Sequence, residues 1–154
     1  LQGRHDSYPK RRGMTRVPEL LASGVTVAFG HDCVLDPWYP LGNADMLQVA
    51  SMGLHVAQMT GQDAMRQCFE SVTTAPAALL GLQDHGIAPG KHADLVLLQA
   101  QDVIEAIRLQ ATRLKVWRRG QLVATAQPAT STLCIPGRPS EVDFLHKTSQ
   151  GAKS

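Results

Sequence analysis

A short apolar run, Val25-Thr26-Val27-Ala28-Phe29, is stopped by Gly30 and followed at once by His31 and Asp32. A brief β-branched run bounded by a glycine predicts a buried strand over 25–29. A carboxylate just past the carboxyl end of a buried strand stands where α/β barrels keep their chemistry. Such an Asp can ligate a metal, take a proton, or do both. Downstream, Asp36-Pro37-Trp38-Tyr39-Pro40 sets two prolines that stiffen the backbone and two aromatics that can wall a pocket beside the carboxylate.

The flanking pattern is helical. Thr15 is placed to cap a helix running to about Ser23, with Pro18 in its first turn and Gly24 at its end. Helix followed by strand is one step of a barrel wall. After a loop over 31–43, Asn43 is placed to cap a helix over about 44–59. Its apolar residues, Met46, Leu47, Val49, Met52, Leu54, Val56 and Met59, cover more than one stripe, which predicts burial on several sides. His55 within it reads as a satisfied core histidine, and the methionines as core filling. A helix over about 62–70 follows, then a short one with Thr73 or Thr74 as cap and Gly81 as stop.

From residue 86 the pattern changes. Asp94 to Leu98 predicts a strand, and Asp102 is placed to cap a helix through about Gln110. Residues 113–118 alternate and predict a half-buried strand, with Arg119-Gly120 as a tight turn into a strand over 121–126. Pro128 onward is weakly patterned, and Thr148 to Ser154 are expected to be disordered.

The chain has 154 residues, 44% apolar and 18% charged, with a formal charge of +2. That balance leaves no electrostatic footprint for nucleic acid, and the Lys10-Arg11-Arg12 cluster is too short to supply one. No apolar run approaches the ~20 residues of a membrane span. The three cysteines, Cys33, Cys68 and Cys134, form neither a disulfide framework nor a thiolate zinc site, so a reducing cytoplasm is the expected compartment.

Leu1-Gln2-Gly3-Arg4 to Tyr8-Pro9-Lys10-Arg11-Arg12-Gly13, then Phe29-Gly30-His31-Asp32, then Asp36-Pro37-Trp38-Tyr39-Pro40-Leu41-Gly42 resemble the cytosine deaminase branch of the metal-dependent amidohydrolase superfamily. A second match, Thr73-Thr74-Ala75-Pro76-Ala77 with Gly86-Ile87-Ala88-Pro89-Gly90-Lys91-His92-Ala93-Asp94-Leu95-Val96, resembles the segment where such chains leave the barrel for their small β-domain. The resemblance covers residues 1 to about 130. It implies an α/β chain: the C-terminal part of a (β/α)8 amidohydrolase barrel over 1–82, with the last strand and closing helices. Part of a small β-sandwich domain would occupy 83–135, and a tail 136–154. Because the chain opens on Leu1, inside a motif that lies late in the family, it is read as the C-terminal portion of a longer protein.

The resemblance further implies that Asp32 is the last metal ligand of the barrel and also the catalytic group that moves a proton from metal-bound water to the leaving amine. Cys33 stands where the family pattern has a second Asp, and Trp38 stands at the pocket wall; both are candidate substrate-binding residues. His31 is not assigned as a ligand. The implied cofactor is one divalent metal ion, zinc or iron, held only by the full-length enzyme. The partner chemistry is a small aminopyrimidine-like substrate, with neither nucleic acid nor membrane, and the resemblance leaves room for a homo-oligomer. The His-x-His pair and catalytic Glu of the family are missing from these 154 residues, so the chain alone is expected to be inactive. The implied reaction of the complete enzyme is hydrolytic deamination of cytosine to uracil and ammonia. The alternatives are deamination of another amino-substituted ring, such as isoguanine or an aminotriazine, or a non-catalytic remnant.

Overall fold

The computed structural model describes residues 5–9 and 13–142. The basic triplet Lys10-Arg11-Arg12, the tail Thr148–Ser154 and Leu1 to Arg4 lie outside the described residues. Two compact units divide between Gln83 and Asp84.

The first unit is helical. Helix α1 spans Val17–Ala22, with proline in its first turn and Val17 buried. Its N-cap position falls on Arg16 with no side-chain bond, so Thr15 does not cap it as expected. Gly24 follows at φ +76, a backbone region glycine enters without steric cost. Helix α2 spans Met46–Val56 and is capped by Asp45, whose side chain accepts from the N–H of Leu47 and Gln48. The expected cap, Asn43, sits two residues outside, its Oδ1 accepting from Asp45 N at 3.0 Å. Helix α3 spans Gln62–Glu70, and α4 spans Thr74–Leu79 after Thr73.

The expected burial of α2 on several sides is corrected. Leu47, Ala50, Gly53 and Leu54 form one buried stripe, whereas Met52 is 59% and Val56 50% exposed. His55 is exposed rather than in the core, and its Nδ1 lies 2.6 Å from Ser51 O, one turn back. An apolar residue is buried only where another element covers it, and the described residues cover one face of α2. Met59 fills the core beside Cys68, with the thiol sulfur 3.6 Å from the thioether. Met52 does not.

Segment 25–30 is neither a strand nor buried, with Val25 47% exposed, which corrects the prediction of a buried strand over 25–29. A strand is defined by a ladder, and no described segment pairs with it. It is held otherwise. Val25 N–H donates to Leu20 O, and Phe29 N–H donates to Ser71 O at 2.8 Å. Ser71 is itself buried at the end of α3, its hydroxyl donating to Gln67 O. Phe29 packs against Gly53 of α2 so closely that a Cβ there would lie 2.7 Å from the ring.

The second unit is built on an antiparallel sheet of β1 (Leu95–Leu98), β2 (Arg113–Arg118) and β3 (Gln121–Thr125), in that order. Leu95 faces Trp117 and Val116 faces Ala124. Arg119 and Gly120 both take positive φ, +48 and +79, the twist that a two-residue hairpin requires. Helix α5, Val103–Leu109, connects β1 to β2. Asp102 accepts from Glu105 N, and Glu105 reaches back to accept from Gln101 N, both at 2.9 Å. This reciprocal cap buries Glu105 with its acceptors used. Beyond the weakly patterned Pro128, a small hairpin pairs β4 (Ser131–Thr132) with β5 (Glu141–Val142).

Candidate active site

A pocket of about 750 Å³ opens in the first unit, lined by Thr15, Phe29, His31, Asp32, Cys33 and Trp38 among others. It therefore gathers every residue that the sequence singled out for chemistry. Asp32 is exposed and takes φ +63, a left-handed backbone that Asp tolerates better than most residues.

The loop that follows is organised by Asp36. Its Oδ1 accepts the backbone N–H of Trp38 at 2.9 Å and of Tyr39 at 2.8 Å. Asp-Pro at a turn start carries this signature, because an Asx side chain imitates a backbone turn. Asp36 N–H in turn donates to Tyr39 O, and Leu35 N–H donates to Leu41 O, closing the loop on itself. The Tyr39 N–H, the Cys33 thiol and the Trp38 N–H together hold the Asp36 carboxyl below its ordinary value.

Cys33 is half-buried. Its thiol is pushed up to about 11, first by donating to the Asp36 carboxylate, then by burial and by the neighbouring Asp32 charge. The thiol is a donor already engaged, not a nucleophile. Trp38 lines the pocket while 74% exposed, so it stands at the rim and does not plug the opening.

His31 is more tightly set than the sequence indicated. Its Nδ1 lies 2.9 Å from Cys33 O, its ring meets Tyr39 edge-on at 6.3 Å, and a Cβ on Gly42 would fall 2.8 Å from its Nε2. The signal for this was present in Gly42, a glycine at φ +85 eleven residues on, but only the fold brings it under the imidazole.

Asp32 offers one carboxylate to a cation. Among the described residues no group of three His, Cys, Asp or Glu side chains could hold a metal ion. These residues therefore do not by themselves make a metal centre, where three or four ligands are usual.

The model of the amidohydrolase family (Amidohydro_3) matches residues 1–124. The structure of 5-methylcytosine deaminase from Klebsiella pneumoniae liganded with phosphonocytosine superposes with a TM-score of 0.77 at 44% identity, over 84% of this chain and 32% of that one. Pterin deaminase of Rhizobium rhizogenes (strain K84 / ATCC BAA-868) is 34% identical over 130 residues, 83% of this chain and 29% of its own length. N-isopropylammelide isopropyl amidohydrolase of Pseudomonas sp. (strain ADP) is 32% identical over 108 residues, 70% of this chain and 27% of its own. The chain thus spans less than a third of the proteins it matches.

Proposed function

The chain belongs to the amidohydrolase family, and from that premise we propose that it is the C-terminal portion of a hydrolase that deaminates an aminopyrimidine, cytosine or a 5-substituted cytosine. Residues 1–82 would complete a (β/α)8 barrel and 83–135 would contribute to a small β-sandwich domain; the expected start of a tail at 136 is corrected by the β4–β5 hairpin, which carries paired chain on to Val142. The reaction is ring–NH2 plus water giving ring oxo plus ammonia. One observation supports the reading above the others: Asp32, turned out by its left-handed backbone, lines a pocket together with Cys33 and Trp38 in a chain 44% identical to a 5-methylcytosine deaminase.

In this reading Asp32 does two things. It is one ligand of a divalent metal, zinc or iron, whose other ligands come from the rest of the complete enzyme. It also accepts a proton from the attacking water and passes it to the leaving amine, a role for which a carboxylate at hydrogen-bond reach suffices. Cys33 and Trp38 contact the ring. Because the thiol donates to Asp36, Cys33 presents a small neutral surface where a second Asp would present a charge. Such a site accepts a ring substituent more readily. Three free thiols suit a reducing cytoplasm, and no helix among the described residues is long and apolar enough to cross a membrane.

A second reading, a larger or triazine ring as substrate, is favoured by the similarity to a pterin deaminase and an isopropylammelide hydrolase. The test is ammonia release by the complete enzyme, loaded with zinc or iron, from cytosine, 5-methylcytosine, pterin and an aminotriazine. The cytosines should be the best substrates by kcat/KM. A preference for pterin or triazine would establish the second reading, and no release from any ring would leave a non-catalytic remnant.

A further inference from the structure

The proposed chemistry needs Asp32 held in one orientation, yet Asp32 takes a backbone conformation that most side chains avoid. What holds it is adjacent. We propose that His31 is the positioning residue for Asp32: its imidazole bridges across Asp32 to the Cys33 carbonyl and is itself locked by Gly42 and Tyr39. The inference rests on the functional reading above, and adds to it a residue the reaction does not otherwise use.

Three geometric facts converge on the ring. The Cys33 carbonyl only accepts, so the 2.9 Å contact requires the proton on Nδ1. This bond joins residue 31 to residue 33 and thereby closes a small ring of covalent and hydrogen bonds around Asp32. The second fact is the floor under the imidazole. Gly42, at φ +85, leaves a space that a methyl group would fill, 2.8 Å from Nε2. The third is the edge-on contact with Tyr39 at 6.3 Å, and Tyr39 is tied by its own N–H to the Asp36 carboxylate. The ring is thus gripped by two residues of the far end of the loop and grips the backbone on the other side of Asp32. A shift of about 1 Å in a reacting group costs about 100-fold in rate, so a clamp of this kind acts on turnover without touching substrate.

The consequence for mutation is specific. His31→Ala removes the bridge and the ring. His31→Asn keeps an N–H near the Nδ1 position and loses the ring that rests on Gly42. Gly42→Ala leaves the His31 and Asp32 side chains in place, strains the backbone at φ +85 and displaces the imidazole from below. The experiment compares these three in the complete enzyme, with kcat and KM for its best ring substrate and the thermal midpoint of each. His31→Ala and Gly42→Ala should lower kcat about 100-fold while KM changes less than about 3-fold, because the side chains of Cys33 and Trp38 are themselves unaltered. His31→Asn should recover at least about 10-fold of the loss in His31→Ala, since the bridge is remade. A merely structural role would lower the midpoint without this split and without rescue by Asn.

Should His31→Ala fail to accumulate as folded protein, Gly42→Ala and His31→Asn against wild type carry the comparison. An active wild type whose Gly42→Ala and His31 variants retain near-normal kcat overturns the inference alone. A wild type that releases no ammonia from any ring overturns the functional reading, and the inference with it.

Discussion

The ring of Phe29 occupies the space that a side chain on Gly53 would need, with a Cβ there only 2.7 Å from the ring. This contact docks segment 25–30 onto α2, and Phe29, Gly53 and Asp32 all line the pocket. Alanine in a helix interior normally gains about 1 kcal/mol over glycine. Here overpacking should cost about 1–3 kcal/mol and win. Gly53→Ala should therefore lower the thermal midpoint of the complete protein, and Gly53→Val should lower it further. In a Phe29→Ala background the Gly53→Ala change should turn neutral or stabilising, because its collision partner is gone. A higher midpoint for Gly53→Ala with Phe29 in place would show that the ring moves aside freely.

Asp32 is exposed, so its carboxylate contributes little to folding. Asp32→Asn keeps the shape and the tolerance for a left-handed backbone and removes the proton acceptor. We expect kcat of the complete enzyme to fall by about 10²–10⁴-fold, with the thermal midpoint of the metal-free protein nearly unchanged. Near-normal turnover in this variant would make Asp32 a turn residue only.

Cys33 should govern which ring is accepted. Replacing the neutral thiol by a carboxylate, Cys33→Asp, places a charge beside Asp36 and against any 5-substituent. The ratio of kcat/KM for cytosine over 5-methylcytosine should rise by about 10-fold or more. An unchanged ratio would remove Cys33 from the substrate wall.

In the second unit, Asp94 accepts from Arg119 N–H at 2.6 Å and pairs with Arg118, tying the β2–β3 turn to the start of β1. The Arg119 N–H and the Arg118 charge lower its pKa from the ordinary 3.8. A carboxyl lowered in the folded state stabilises above its unfolded pKa, and that stability is lost as pH falls through the folded value. Asp94→Asn should therefore destabilise this unit at pH 7 and have a smaller effect well below pH 3.8. Denaturation followed at both pH values by Trp117 emission in a Trp38→Phe background checks this; an equal effect at both would assign the loss to shape rather than charge.

The helices and hairpins were legible in the sequence because their signals are local. The range 62–70, the Asp102 cap and the Arg119-Gly120 turn each depend on residues within a few positions of one another, and each stands where the pattern puts it. Asp36-Pro37 likewise announced a turn, and the turn formed around Asp36. The family resemblance carried by the sequence put Asp32, Cys33 and Trp38 at one pocket, and all three line it. Only the tertiary structure decided the rest, and in each case for a non-local reason. Whether 25–29 is a strand depends on a ladder partner, and Phe29 finds a buried serine carbonyl instead. Whether His55 and Met52 are core depends on what covers α2, and the described residues cover the opposite stripe. His31 owes its setting to Gly42, eleven residues away, and Cys33 owes the upward push on its thiol first to Asp36. Burial and pairing are properties of two surfaces meeting, and the local pattern supplies only one of them.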